Sequence, residues 1–255
     1  MGASWPGAAG TWVEPGVTMA ESRTPPAGRA PAPGSRKRVS ETPPGPRVLL
    51  KDEAYERLKD MIVRGEFEPG RFLSERRLAA QLSMSKTPVR SAVERLANEG
   101  LVLVSPQQGI VVAEVSFGEI IDLFEIRSAL ESFVVTQLAG TLTAERVRLL
   151  QANLDGQFEA AQRGDVVENM RLDTAFHFLL CEFQGNREIT RVMWRMRDRL
   201  ARIIIGVLRQ RPQRMLESVE DHRAVVDAIV AGDGARAAEA MKAHLAWGQR
   251  FLTSR

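Results

Sequence analysis

Disulfide chemistry has no place in this chain. A single cysteine, Cys181, stands among 255 residues, so no internal crosslink can form, and a reducing compartment, the cytoplasm, is the expected setting. Long apolar runs are missing as well. Stretches such as ARIIIGVL at 201–208 are short and hold or adjoin arginines, far below the roughly 18 apolar residues of a spanning helix, so no membrane segment is expected. The N-terminus lacks a basic region leading into an apolar core, which argues against a secretory signal. Neither sign of charge dominates: 35 Lys and Arg face 32 Asp and Glu, a net charge of +3. An anionic partner would therefore be met by a local patch rather than by the whole surface. No nearly repeated segment occurs, which excludes a solenoid. Histidine is scarce too, with three residues, His177, His222 and His244, all in the second half.

Hydrophobic residues make up 44% of the chain, enough at this length for two cores. Residues 1–46 contribute little to either, being crowded with Pro, Gly, Ala and Ser. They are expected to form a disordered tail whose basic run at 36–38 is a solvated charge cluster, and Met19 is an alternative start.

From 47 to 114 the pattern changes. Leu50, Ala54, Leu58, Met61 and Ile62 fall on one helical stripe that stops at Gly65, and EFEPGRFLS reads as a turn. Ser74 opens a second helix with Leu78, Ala79 and Leu82 inward. A third begins near Ser85, where Ser83 or Ser85 can cap it and its first turn holds Pro88, whose missing N–H costs nothing there. Val89, Val93, Leu96 and Ala97 form its buried stripe, and Gly100 ends it. Ser85, Lys86, Thr87, Arg90 and Ser91 are left on the outer face, a cationic and hydroxyl-rich end suited to a phosphate or a base edge. LVLV and IVVAEV, separated by SPQQG, read as a hairpin. Three helices and a terminal hairpin make a winged helix-turn-helix.

Residues 115–255 carry almost no strand signal. Helical stripes broken at Gly140, Gly164, Gly185, QRPQ and AGDG predict an all-α bundle of about six helices, so the fold class is mainly α. Asp173 and His177, four residues apart, share a helix face and could grip one ion. His222 lies on the stripe of Val219, Val226 and Ile229, and His244 on that of Met241, Gly248 and Phe251, so both point inward. One carboxylate and three imidazoles suit a divalent transition metal, Zn, Ni, Co, Fe or Mn, and do not suit Ca or Mg. Arg127 sits on the stripe of Ile120, Phe124, Leu130 and Val134, where an unpaired charge would be costly. Glu131, one turn on, could neutralise it.

The stretch GEFEPGRFLSERRLAAQLSMSKTPVRSAVERLANEGLV followed by SPQQGIVV resembles the DNA-binding domain of GntR-family transcription regulators, over about residues 50–113. LDTAFHFLLCEFQGN, EDHRAVVDAIVAGDGARAAEAMKAHL and FEIRSALE resemble the FCD effector domain of its FadR subfamily. The resemblance implies that Arg76, Lys86 and Arg90 contact operator DNA, with Thr87 on phosphate and Gly109 at the wing tip. It implies that Asp173, His177, His222 and His244 hold the metal, and it offers a second partner for Arg127, the carboxylate of a small effector. The chain departs from the pattern at Lys86, where arginine is usual, and at Gln107 and Gln108, where the wing is usually basic. Lysine is a point donor without the fork that pairs bidentately with guanine.

The function so implied is a cytoplasmic homodimeric repressor that binds a short palindrome in double-stranded operator DNA and is relieved by a small carboxylate. Two alternatives remain at this point: a metalloenzyme using the bundle site, and a constitutive DNA-binding protein with a structural metal.

Overall fold

The computed structural model describes residues 49–105 and 109–253. The expected tail at 1–46, its basic run at 36–38, and the wing residues Gln107 and Gln108 lie outside the described residues.

The N-terminal module runs α1 (Leu50–Val63), β1 (Phe72–Leu73), α2 (Glu75–Leu82), α3 (Lys86–Asn98), β2 (Val102–Ser105) and β3 (Gly109–Val112). Ala54, Tyr55, Leu58 and Ile62 of α1 pack with Leu78 and Leu82 of α2 and with Val89, Val93 and Leu96 of α3 in one core. Leu50, placed on the inward stripe by its spacing, is 60% exposed because it begins the helix before the core does. The stretch read as a turn also holds a strand. Leu73 pairs with Ile110, and Val102 pairs with Val112, giving an antiparallel sheet in the order β1-β3-β2. Two residues are too short to show a period of two, which is why β1 leaves no pattern.

Caps place α2 and α3. Ser74 Oγ accepts from Arg77 N–H at 3.3 Å, and Ser83 closes α2 in the left-handed region with φ +56°. Ser85 holds the N-cap position of α3, although its hydroxyl makes no capping bond there. Pro88 sits in the first turn of α3 and is buried, so the chain turns sharply between α2 and α3 with the outer face of α3 in solvent.

Six helices follow: α4 (Phe117–Leu138), α5 (Ala144–Gln162), α6 (Val166–Gln184), α7 (Arg187–Gln210), α8 (Arg214–Val230) and α9 (Gly234–Thr253). Side-chain caps at Ser116, Thr143, Asp165 and Asn186 start α4 to α7, as each accepts from a first-turn N–H. Gly185 ends α6 with φ +87°, a conformation that a β-carbon disfavours. Helix α6 is the centre of the bundle. Every residue from Ala175 to Cys181 is buried, which no surface helix permits, and Asp173 is buried too, so both candidate metal ligands on this helix face protein. Helices α4 and α9 approach closely at Gly248, where a β-carbon would stand 2.9 Å from the Phe124 ring.

The two modules join through α1 and α7. Lys59 Nζ meets Asp198 Oδ2 at 2.5 Å, Arg202 donates to the Ala113 carbonyl, and Val63 packs on a small cluster of Met170, Ala201, Ile205, Leu208 and Met215.

Candidate metal centre and DNA-binding surface

Asp173 and His177 of α6, His222 of α8 and His244 of α9 come together inside the bundle. All four are buried, and one ligand atom from each lies within 4.8 Å of every other. His222 Nε2 is 3.7 Å from Asp173 Oδ1 and 3.2 Å from His244 Nε2, and His177 Nε2 is 3.9 Å from Asp173 Oδ2.

The opposite ring nitrogens are all engaged, and their partners decide the tautomers. His177 Nδ1 meets the Glu131 carboxylate, and His244 Nδ1 stands 3.2 Å from both Asp221 Oδ2, an acceptor, and Arg214 Nη2, a donor. A carboxylate only accepts, so His177 Nδ1 carries a proton, and pairing with Asp221 puts one on His244 Nδ1 as well, whereas pairing with Arg214 puts it on Nε2. For His222 a proton on Nδ1 follows from a chain of amides. Asn153 Nδ2 donates to the Leu172 carbonyl at 3.1 Å, which turns Asn153 Oδ1 toward Gln157 Nε2 at 2.7 Å. Gln157 Oε1 is then left for His222 Nδ1 at 3.0 Å, and it too only accepts. With neutral rings and His244 paired to Asp221, all three Nε2 atoms carry lone pairs into one buried space beside a carboxylate, and His177 Nε2 has no hydrogen-bond partner there.

In that arrangement the His222 and His244 lone pairs face one another at 3.2 Å, which is repulsive, and the orphaned buried His177 Nε2 is costly. A cation among the four atoms removes both penalties. The donor set of three imidazole nitrogens and one carboxylate oxygen, each imidazole oriented from behind, fits a borderline divalent metal.

Charge in the outer ring is balanced. Burial works to raise the Glu131 carboxyl, but Arg127 and His177 outweigh it and hold it at about 2. Arg127 is 3% exposed and donates from Nε to Glu131 Oε1 at 2.7 Å, so of its two candidate partners the helical neighbour is the one in place. Asp221 is likewise held below its ordinary value, as His244 and Arg214 overcome its burial. Arg214 Nη2 donates to Asp221 Oδ2 at 2.5 Å, and its guanidinium lies over the Trp247 ring. Burial first, then the neighbouring imidazoles and both arginines, push His222 well below its usual value. Burial lowers His244 too, against the opposing hydrogen bond with Asp221. Both rings are therefore neutral at physiological pH, the form that donates a lone pair.

Gln157, Asp221 and Arg214 were not among the sequence candidates. Gln157 contacts a histidine 65 residues away and Asp221 one 23 residues away, separations at which no helical period operates.

On the N-terminal module, Arg76, Ser85, Lys86, Thr87, Arg90 and Gly109 are all exposed. Lys86 and Thr87 are the first two residues of α3, and Arg90 lies one turn further on. Gly109 opens β3 in register with Ser105, with φ +84°, and a β-carbon there would stand 3.2 Å from the Leu73 carbonyl oxygen. Glycine is thus required by the sheet at this position.

The comparisons with known proteins divide the chain at the same place. Residues 50–112 match the gntR family of bacterial regulatory proteins, and residues 122–246 match the FCD domain. An uncharacterized HTH-type transcriptional regulator in an unstable DNA locus of Streptomyces ambofaciens is 33% identical over 193 residues, covering 76% of this chain and 80% of that protein. The chain belongs to the GntR family. The HTH-type transcriptional repressor GlaR of Escherichia coli K12 is 32% identical over 204 residues, 76% of this chain and 91% of the repressor. The curated relatives are matched over shares of their own lengths that run from 62% to 91%. Among solved structures, Escherichia coli McbR/YncC superposes with a TM-score of 0.69 at 24% identity, covering 82% of this chain and 99% of that one, and so shares the fold. As a GntR-family protein with an FCD domain, the chain is a DNA-binding transcription regulator and not an enzyme. Among the described residues, no helix is long and apolar enough to cross a membrane.

Proposed function

We propose that this GntR-family regulator is a cytoplasmic homodimeric repressor whose operator binding is controlled by a small carboxylate metabolite, bound beside a divalent transition metal held by Asp173, His177, His222 and His244. The observation that carries the reading is the convergence of three buried imidazoles and one carboxylate, with each imidazole held from behind by Glu131, Gln157 or Asp221. A bound Zn, Ni, Co, Fe or Mn ion would supply positive charge and coordination positions for an outside oxygen.

Arg127 supplies the directional part. Glu131 engages the guanidinium through Nε, so an incoming carboxylate would pair with the Nη edge. Burial makes that pairing selective, because a neutral ligand would leave the arginine less well matched. On the DNA side, Arg76, Lys86 and Arg90 contact the operator, with Arg90 on a base edge, Ser85 and Thr87 meet phosphate, and Gly109 brings the wing backbone close to the duplex. One module of this size offers limited contact, and two copies related by a two-fold axis would read the halves of a palindrome. The ligand shifts operator binding only through different affinities for two arrangements of the dimer.

The test is calorimetry of metal-loaded protein against hydroxy, keto, sugar and dicarboxylic acids, with operator affinity measured in parallel. An acid that weakens operator binding supports the reading. Arg127→Ala is expected to blunt that response while metal content and ligand-free DNA affinity hold. Operator binding indifferent to every acid, with metal present, would support a constitutive DNA-binding protein with a structural metal.

A further inference from the structure

Glu75 is an unexpected residue for a surface that meets DNA. It opens α2 directly after the Ser74 cap, next to Arg76, and a carboxylate there repels the phosphates that the neighbouring cations attract. An acid in the first turn suits the helix dipole. The dipole does not account for what the side chain grips. Arg90, fifteen residues on in α3, donates from Nε to Glu75 Oε1 at 3.0 Å and from Nη2 to Glu75 Oε2 at 3.0 Å, two parallel bonds that tie one helix to the next. Burial does not force the pairing, since the Arg90 side chain is 62% exposed and that of Glu75 31%. Exposed ion pairs also add little to stability. The hydrogen bond from Arg90, with Lys86 nearby, holds Glu75 below its ordinary value, so the carboxylate is charged at physiological pH.

A guanidinium has two edges that can make paired hydrogen bonds, and Glu75 occupies the Nε–Nη2 edge. The Nη1–Nη2 edge is the one left. Reading guanine through O6 and N7 takes one whole edge, and a fork already fixed in orientation loses less freedom on docking. Lys86 cannot take over this task, because an ammonium is a point donor.

We propose that Glu75 is a positioning residue for sequence recognition: it clamps Arg90 so that its outer edge reads a base rather than sliding onto a phosphate. The idea rests on α3 being the recognition helix and adds what makes its arginine selective. Glu75 thus gives up some affinity for DNA in general and supplies discrimination in return.

The test uses the full chain, a duplex selected by the wild-type protein from a random library, and a scrambled version of it. Anisotropy titrations across a salt series would compare the wild type with Glu75→Ala, Glu75→Gln, Arg90→Ala and the Glu75→Ala/Arg90→Ala double variant, with a thermal melt of each as a check on folding. Glu75→Ala is expected to bind scrambled DNA more tightly, with a salt slope steeper by about one, because Arg90 is released to a phosphate. Its preference for the selected duplex should fall by about tenfold or more, with the loss at the same base position that Arg90→Ala flattens. Glu75→Gln, which keeps one acceptor oxygen, should fall between. The double variant should be no less selective than Arg90→Ala alone, since the two side chains act as one unit. Equal weakening on both duplexes with unchanged base preference would reduce Glu75 to a structural role and overturn the proposal. So would loss of preference at a different, cytosine-bearing position, which would mean that Glu75 reads a base itself. If Arg90→Ala leaves preference intact, the fault lies with the recognition-helix reading, and that result is distinct from either of the others.

Discussion

The bundle cluster and the helix-turn-helix surface are both polar in sequence, yet the protein handles them in opposite ways. Asp173, His177, His222 and His244 are all buried, and a second ring of Glu131, Gln157, Asp221 and Asn153 fixes how each histidine is turned. Arg76, Ser85, Lys86, Thr87, Arg90 and Gly109 are all exposed, and one contact, that of Arg90 with Glu75, restrains a side chain among them through paired bonds. Burial explains the difference. A polar atom without water must find a partner inside the protein, so an interior site carries its own orienting network, whereas a surface that will meet DNA can leave its donors to the solvent until the phosphates arrive. The interior site is over-determined by its own chain, and the exterior one is completed by its ligand.

Substitutions can break this contrast, and the largest effects belong to the interior. His222→Ala removes a donor and leaves Gln157 without its partner, so metal affinity should fall by more than about a hundredfold and the Tm of metal-loaded protein should drop; metal analysis and calorimetry check it. Gln157→Leu keeps all four donors but frees His222 to rotate. Metal affinity should fall by about 10- to 100-fold, and an unchanged affinity would mean that the amide chain does not set the ring.

At the surface the effects should be smaller and should appear only with DNA present. Arg90→Ala is expected to cost about 5- to 150-fold on a selected duplex and to flatten preference at one base, with Tm and metal content as in the wild type. Lys86→Ala should weaken binding by a similar factor on all sequences and lower the salt slope by about one, as a phosphate contact does. Should Lys86→Ala flatten a base preference instead, the departure from arginine at this position would be one of chemistry without loss of role.

Much of this architecture was legible in the residues. Gly140, Gly164 and Gly185 each fall just past a helix end, and Ser74 caps α2 as its position next to an apolar stripe predicts. The Asp173 and His177 spacing, with the inward stripes of His222 and His244, brought together four residues that the fold also gathers. What escaped was non-local or too short to show a period. β1 is two residues long and exists because β3 is beside it. Leu50 fits the stripe of α1 but lies beyond the reach of the core. Gln157 looks like any helical glutamine until α8 places His222 against it, and Glu75 reads as a first-turn acid until α3 turns Arg90 toward it. Periodicity reports which face is inside and says little about which polar side chains will meet there.

The central proposal is a cation held by the four converging donors. Elemental analysis of full-length protein, grown with trace metals and dialysed without chelator, addresses it directly. The expected result is about one divalent transition-metal ion per chain, retained in Arg90→Ala and Arg127→Ala and lost in His222→Ala. A wild-type protein free of metal after exposure to Zn, Ni, Co, Fe and Mn, or equal metal content in a variant with all three histidines replaced by alanine, would contradict it.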